Sequence, residues 1–357
     1  MLAARWHGRG DVRVDEVPTP RPGPGQVLLG VSLAGLCGTD LEEYREGPVD
    51  IPTDTDHPLS GRRAPITLGH EVTGIVVESP DNEVPVGTLV VPNVVSGCGR
   101  CWWCRRHAEG QCPHISVRGL QDDGGLAEFM VSDAATCVRV PDHVEPQVAV
   151  FAEPAAVALR ALRKCGDLTG AVVCVQGGGT IGQLVAQAAL AAPVSVVVVV
   201  DPGAARRELA ERLGATVTDL DHADDCISSA SQGRGADVVI ECSGALDAPA
   251  TAVRLCRRGG TVVLVGFRPG SLEVPWLDVV LGERRLVGSA AHLWDEDVTA
   301  AVSMLARGGL DPTALPQRVV PLRDVVKDGF EWLASESTGV KVLVDPNGGA
   351  DEVVPQP

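Results

Sequence analysis

At 357 residues, with 45% hydrophobic and 22% charged residues, the chain has the length for two domains and the composition of an ordinary globular protein. A net charge of −17 argues against nucleic acid or an anionic membrane surface as partner, since both need a cationic footprint. No apolar run reaches the roughly eighteen residues of a membrane span. The start, "MLAARWHGRGDVRV", lacks the pattern of a signal peptide, so the expected compartment is the cytoplasm.

The first third reads as β-rich. "QVLLGVSLAG" and "EVTGIVVES" are strand-like runs, broken by Pro and Gly turns in "PTPRPGPG" and "ESPDNEVPVG". Near residue 150 the texture changes. "EPAAVALRALRKC" has helical spacing, and from there strands and helices alternate. "AVVCVQGGG" reads as a strand, "TIGQLVAQAALAA" as a helix, "VSVVVVVD" as a strand and "AARRELAERLGA" as a helix. The strand "ADVVIECSG", the helix "APATAVRLCRRGG" and the strand "TVVLVGF" follow. Buried Val/Ile runs between helices predict a parallel sheet covered on both faces. A tail from about residue 290 adds the helix "DEDVTAAVSMLARGG" and the strand "GVKVLVDP", and "NGGADEVVPQP" is expected to be a loose terminus.

Four of the eleven cysteines, Cys98, Cys101, Cys104 and Cys112, fall within "CGRCWWCRRHAEGQC" at C-x2-C-x2-C-x7-C spacing. In a reducing compartment, clustered thiols of this kind suit a closed tetrahedral zinc site that stabilises a lobe with little apolar core. Redox switching is the rival reading. The pattern G-x-G-x-x-G, at Gly177, Gly179 and Gly182, follows a strand and opens a helix, as a dinucleotide fingerprint requires. The first Gly allows the tight turn, the second lets backbone approach a pyrophosphate, and the third lets helix pack on strand. Nineteen residues on, Asp201 ends the next strand, where it can accept from the adenosine ribose hydroxyls and repel a 2′-phosphate, favouring NAD over NADP. It can equally be a helix cap before "PGAARRELA". Arg206 could stack on adenine or soften that preference.

A second set of possible ligands is scattered. "LCGTD" carries Cys37 and Thr39, "LGHEVTG" carries His70 and Glu71, and "FAEP" carries Glu153. A thiolate, an imidazole and a carboxylate suit a catalytic zinc with one open position. Taken singly, Cys37 could be a small core residue and Glu153 an acid at a helix start.

In this order, C-G-T-D at 37–40, G-H-E at 69–71, the four-cysteine lobe, the EP pair at 153–154 and the glycine fingerprint resemble the zinc-dependent medium-chain dehydrogenases, along essentially the whole chain. The segment "CGTDLEEYREGPVDIPTDTDHPLSGRRAPITLGHE" is closer still to the 2,3-butanediol dehydrogenase branch. The resemblance implies an α/β fold: a GroES-like β-rich catalytic domain over 1–152 and 290–357, and a Rossmann domain with a doubly wound parallel sheet over 153–289. It implies an active site in the cleft between them, and a homodimer or homotetramer. Cys37, His70 and Glu153 would hold the catalytic zinc, with Glu71 beside it as a second or exchangeable partner. Cys98, Cys101, Cys104 and Cys112 would hold a structural zinc around residues 96–113. Thr39 would bond the alcohol oxygen. Cofactor contacts are expected at Gly177, Gly179, Thr180, Ile181, Gly182, Asp201, Arg206, Ser243 and Gly266. Family members commonly carry a His five residues after the zinc-binding Cys, ending a proton relay, and here Glu42 takes that place.

The expected activity is therefore NAD-linked interconversion of a secondary alcohol and a ketone, first among them a vicinal diol and its acyloin such as 2,3-butanediol and acetoin. A polyol, a cyclitol or aminocyclitol, and L-threonine are the competing substrates. A zinc-free enone reductase and a non-catalytic NAD-binding redox sensor are the readings from other classes.

Overall fold

The computed structural model describes residues 1–268, 270–335 and 339–348, so most of the terminal "NGGADEVVPQP" lies outside the described residues. The chain divides into two compact units. The first comprises 1–153, 292–306 and 316–357, and the second 154–291 and 307–315. Among the described residues no helix is long and apolar enough to cross a membrane.

The first unit is built on the strand Gln26–Gly35. It pairs antiparallel with Glu71–Glu78 and with Phe129–Asp133, and its end pairs with Lys341–Asp345. Alternation along these strands sends Val27, Leu29 and Val76 into one apolar cluster, which Val90 of the strand Leu89–Val91 joins. The register places Gly35 opposite Glu71. A Cβ on Gly35 would sit 2.0 Å from Glu71 Oε2, so this glycine is what lets a carboxylate lie flat over the strand end.

Just past that strand the chain turns at Cys37 into the helix Gly38–Glu46, which no periodicity announced. The Cys37 amide donates to Asp40 Oδ2 at 2.9 Å, a reciprocal cap at the helix start. Glu43 is fully buried on the helix, and its carboxylate accepts the amides of Val49 (3.0 Å) and Ile51 (3.1 Å). One carboxylate thereby shapes the loop that follows.

The second unit holds a six-stranded parallel sheet in the order Thr216–Thr218, Val196–Val200, Val172–Gln176, Ala236–Glu241, Cys256–Leu264, Arg285–Gly288. Strand order reverses between Val172–Gln176 and Ala236–Glu241, the switch point where doubly wound sheets bind ligands. Its Val-rich strands pack under helices through Ile227, Val253 and Leu255, as buried strands require. One local expectation is corrected. "CRRGG" is not the end of a helix: the helix Ala248–Leu255 stops, and Cys256–Leu264 is a strand. Gly259, at φ +69°, and Gly260 cannot extend a helix cheaply, and Cys256 pairs beside Ala236 instead.

Candidate metal centres and dinucleotide site

Cys98, Cys101, Cys104 and Cys112 bring their sulfurs within 4.8 Å of one another. Cys101 Sγ lies 3.4 Å from Cys104 Sγ and 3.8 Å from Cys112 Sγ. A tetrahedral zinc with Zn–S near 2.3 Å has sulfurs about 3.8 Å apart, so the cluster fits the ion. The electrostatics agree. A backbone amide donating to its sulfur draws the Cys98 thiol down to about 6, whereas burial pushes Cys104 up to about 12. Four thiolates this close cannot coexist without a cation, and a divalent one answers that need. Backbone amides of Cys98, Cys104 and His114 also point at these sulfurs.

The scattered set also gathers, all of it within the first unit. The imidazole of His70 feels the charge of Cys37 and of Glu153. Thr39 Oγ1 lies 3.7 Å from Cys37 Sγ. The mutual spacing of the four thiols is not matched here: Cys37, His70 and Glu153 do not all place a donor atom within 4.8 Å of one another. Glu71 is buried and paired with the buried ammonium of Lys341, which also donates to Leu36 O at 2.9 Å. Glu42 sits half-buried on the helix Gly38–Glu46.

Charge explains what this cluster can do. Burial pushes the Glu153 carboxyl up to about 7 and also raises Asp40. Burial works to lower His70, but Asp40, Cys37 and Glu153 outweigh it and hold the imidazole well above its usual value. Lys341 is raised in the same way, its burial outweighed by Glu71. Three buried carboxyls and a thiol thus lie about one ammonium and the imidazole of His70. A soft, a borderline and a hard donor with surplus negative charge suit zinc.

Three residues here were not singled out from the sequence. Asp40 is wholly buried, accepts from the Cys37 and Gly69 amides, and faces His70; its signal was the quoted C-G-T-D itself. Lys341 sits on the last strand of the sheet, with no signal beyond a cation in "KVLVD". His292, whose Nε2 is 3.5 Å from Glu153 Oε1, had none.

In the second unit the three fingerprint glycines divide their work. Gly177 takes φ +95°, and a Cβ there would strike Ser243. A Cβ on Gly182 would sit 1.7 Å from Gly177 O, so only glycine lets the helix Thr180–Leu190 meet the strand. Gly179, the residue before that helix, has nothing within 4 Å of such a Cβ. Open space at a helix N-terminus, with Thr180 and Ile181 in its first turn, has the backbone amides and the room to receive an anion. Asp201 is buried and accepts from Gly178 N (2.6 Å) and Gly203 N (2.7 Å), with Arg206 Nη1 at 3.6 Å. It is thus both the strand-end acid and a local cap. Ser243 donates N–H and O–H to Glu241 Oε1, each at 2.6 Å, and Gly266 is packed against the other oxygen of the same carboxylate. Glu241, unremarked in "VVIECSG", organises that edge of the site.

Comparison with known proteins agrees with this geometry. The alcohol dehydrogenase GroES-like domain family matches residues 23–142, and the zinc-binding dehydrogenase family matches residues 180–307. The chain is 32% identical to the (R,R)-butanediol dehydrogenase of Bacillus subtilis, across 97% of this chain and 100% of that one. The crystal structure of 2R,3R-butanediol dehydrogenase from Bacillus subtilis superposes with a TM-score of 0.88 over 97% of this chain and 99% of that chain, at 32% identity. A zinc-binding dehydrogenase from Sinorhizobium meliloti, solved with NADP, gives a TM-score of 0.84 at 30% identity, over 97% of this chain and 99% of that one. With both family domains present and full-length similarity at this level, the chain belongs to the zinc-dependent medium-chain dehydrogenases, alcohol dehydrogenases that act on a CH–OH group.

Proposed function

We propose that the protein oxidises a vicinal diol to its acyloin, with 2,3-butanediol and acetoin as the type pair, and that NAD is its nicotinamide cofactor. The observation that carries the reading is the gathering of Cys37, His70 and Glu153, beside Thr39, in a chain alike along its length to a butanediol dehydrogenase. In this reading Cys37, His70 and Glu153 are the ligands of the catalytic zinc, and the four-cysteine lobe holds the structural one. The catalytic zinc, when bound, supplies Lewis acidity that lowers the pKa of an alcohol. The cofactor supplies the hydride acceptor.

This chain's own residues do the rest. Thr39 accepts the alcohol proton at Oγ1, and Glu42 passes it outward in place of the missing imidazole. A carboxylate is a weaker base than imidazole, so the relay tolerates a lower pH. Lys341 holds Glu71 by an ion pair, which keeps that carboxylate in reserve as an exchangeable partner. Asp201 binds the ribose hydroxyls, and its buried negative charge disfavours a 2′-phosphate. Arg206, beside it, narrows that preference without reversing it.

We also infer a homodimer. Among the described residues the edge strand Arg285–Gly288 is paired on one side only, and the neighbouring helix Trp276–Leu281 exposes Trp276 (71%) and Leu277 (70%). An unpaired edge beside exposed apolar side chains is a surface for a second copy. None of the eleven cysteines is in a disulfide, which supports a cytoplasmic location.

The deciding experiment measures NADH and NADPH formation over a panel of diols, polyols, cyclitols and L-threonine. Preferred turnover of a vicinal diol with NAD supports the proposal, and preference for threonine or a polyol overturns the substrate. Cys37→Ser and His70→Ala should abolish turnover and leave NAD binding nearly intact. Turnover that survives demetallation overturns the metal reading.

A further inference from the structure

His292 lies far along the chain from every motif, yet it is 1% exposed and sets Nε2 3.5 Å from Glu153 Oε1. Its backbone is placed with some force. Ala291, immediately before it, takes φ +53°, a left-handed conformation that a non-glycine residue keeps only where its surroundings impose it. The turn that follows, Trp294–Val298, is locked by the buried Asp297: Leu293 N donates to Asp297 Oδ2 and Asp297 N donates to Leu293 O, both at 2.7 Å. The same turn is tied to the cysteine lobe, where His107 Nε2 reaches Asp295 Oδ1 at 3.1 Å. A rigid mount on both sides is what a side chain needs if it is to fix another.

We propose that His292 is a positioning residue for the catalytic metal: with its proton on Nε2 it donates to Glu153 Oε1, which orients the carboxylate and leaves the other oxygen as the donor to the ion. The inference rests on the reading of Cys37, His70 and Glu153 as the ligand set, and it deepens that reading. A glutamate side chain has three torsions, and the last, which turns its oxygens, has a broad and shallow energy surface. Burial makes that freedom costly, since an oxygen turned away from both cation and donor is unsatisfied. An imidazole held by its own turn removes the freedom before the ion arrives. A leucine or phenylalanine would fill the same space and could not do this.

The experiment counts zinc per chain in the purified full-length protein and follows its release to a competing chelator, with NADH binding as the check on folding. The wild type should hold two ions. In His292→Phe one ion should stay as in the wild type, and the affinity of the other should fall about 10–100-fold, as loss of a ligand's hydrogen-bonding partner usually brings. His292→Gln places an amide N–H where Nε2 stood and should recover most of that affinity. His292→Asn, whose amide stops near the Nδ1 position, should not. Equal release from wild type and His292→Phe overturns the proposal while leaving the ligand set standing, as does equal behaviour of the Gln and Asn variants. A wild type that holds one ion overturns the ligand set itself, and this proposal with it.

Discussion

Asp40 Oδ1 lies 3.7 Å from Nδ1 of His70, and both side chains are buried. The same carboxylate accepts the Cys37 amide at 2.9 Å and the Gly69 amide at 3.4 Å. One side chain therefore fixes the backbone beside two proposed ligands and faces the ring of one of them. Asp40→Asn keeps the shape but turns an N–H toward one of those amides. The expected outcome is a zinc affinity about 10–100-fold lower at one of two sites, with turnover falling in step. Chelator competition checks it, and zinc retention equal to the wild type refutes it.

Gly179 and Gly182 separate cofactor binding from folding. Gly182→Ala drives a methyl into Gly177 O and should destabilise the protein by about 1–3 kcal/mol or more, read as a lowered melting temperature. Gly179→Ala meets open space at an ordinary φ of −70° and should leave the melting temperature near wild type while weakening NADH binding. Equal melting temperatures for the two variants would contradict this division of labour.

The cysteine lobe should prove to be scaffold. Cys104→Ser removes a buried ligand from the four-thiol cluster, so one zinc per chain should be lost. Trypsin should then cut at the exposed Arg105 or Arg106, while NADH binding in the other unit persists. An intact lobe with one zinc fewer would mean that the thiols are held by packing alone.

How much of this was legible in the sequence depends on the kind of signal. The Val-rich strands and the Gly177–Gly182 turn carry local signals, since burial on both faces and backbone approach each restrict residue type. The helix Gly38–Glu46 did not: its stabilisation comes from Asp40 and Glu43 accepting backbone amides, which a hydrophobic period cannot report. Ala223–Ala230 went unread for a related reason, as only Ala223 and Ile227 of it are buried. Lys341 and His292 meet the site by sheet register and by a turn, across separations of 270 residues (71 to 341) and 139 residues (153 to 292). Partners that distant leave no spacing to read.

The edge of the parallel sheet should carry the subunit contact. Trp276→Asp combined with Leu277→Asp places charge on two side chains that are mostly exposed in the single chain, so the fold should survive. Sedimentation should show a dimer for the wild type and a monomer for the double variant. A variant that stays dimeric would move the interface elsewhere.

Asp237, in the second unit, gives a pH test that involves none of the proposed metal ligands. Its carboxylate accepts Val172 N at 2.8 Å and Arg257 Nε at 2.6 Å, joining two adjacent strands at their starts. Burial works to raise this carboxyl, but the amide and the guanidinium outweigh it and hold it below its ordinary value. A depressed carboxyl adds stability that is present above the unfolded value, near pH 4, and is lost as pH falls through the folded one. Asp237→Asn should therefore cost about 1 kcal/mol at pH 7, modest because the pair is partly exposed. That difference should shrink as unfolding is repeated below about pH 4, where the wild type loses its advantage and the variant has none to lose. A gap between the two proteins that stays constant from neutral to strongly acid pH would show that the carboxylate's charge contributes nothing there.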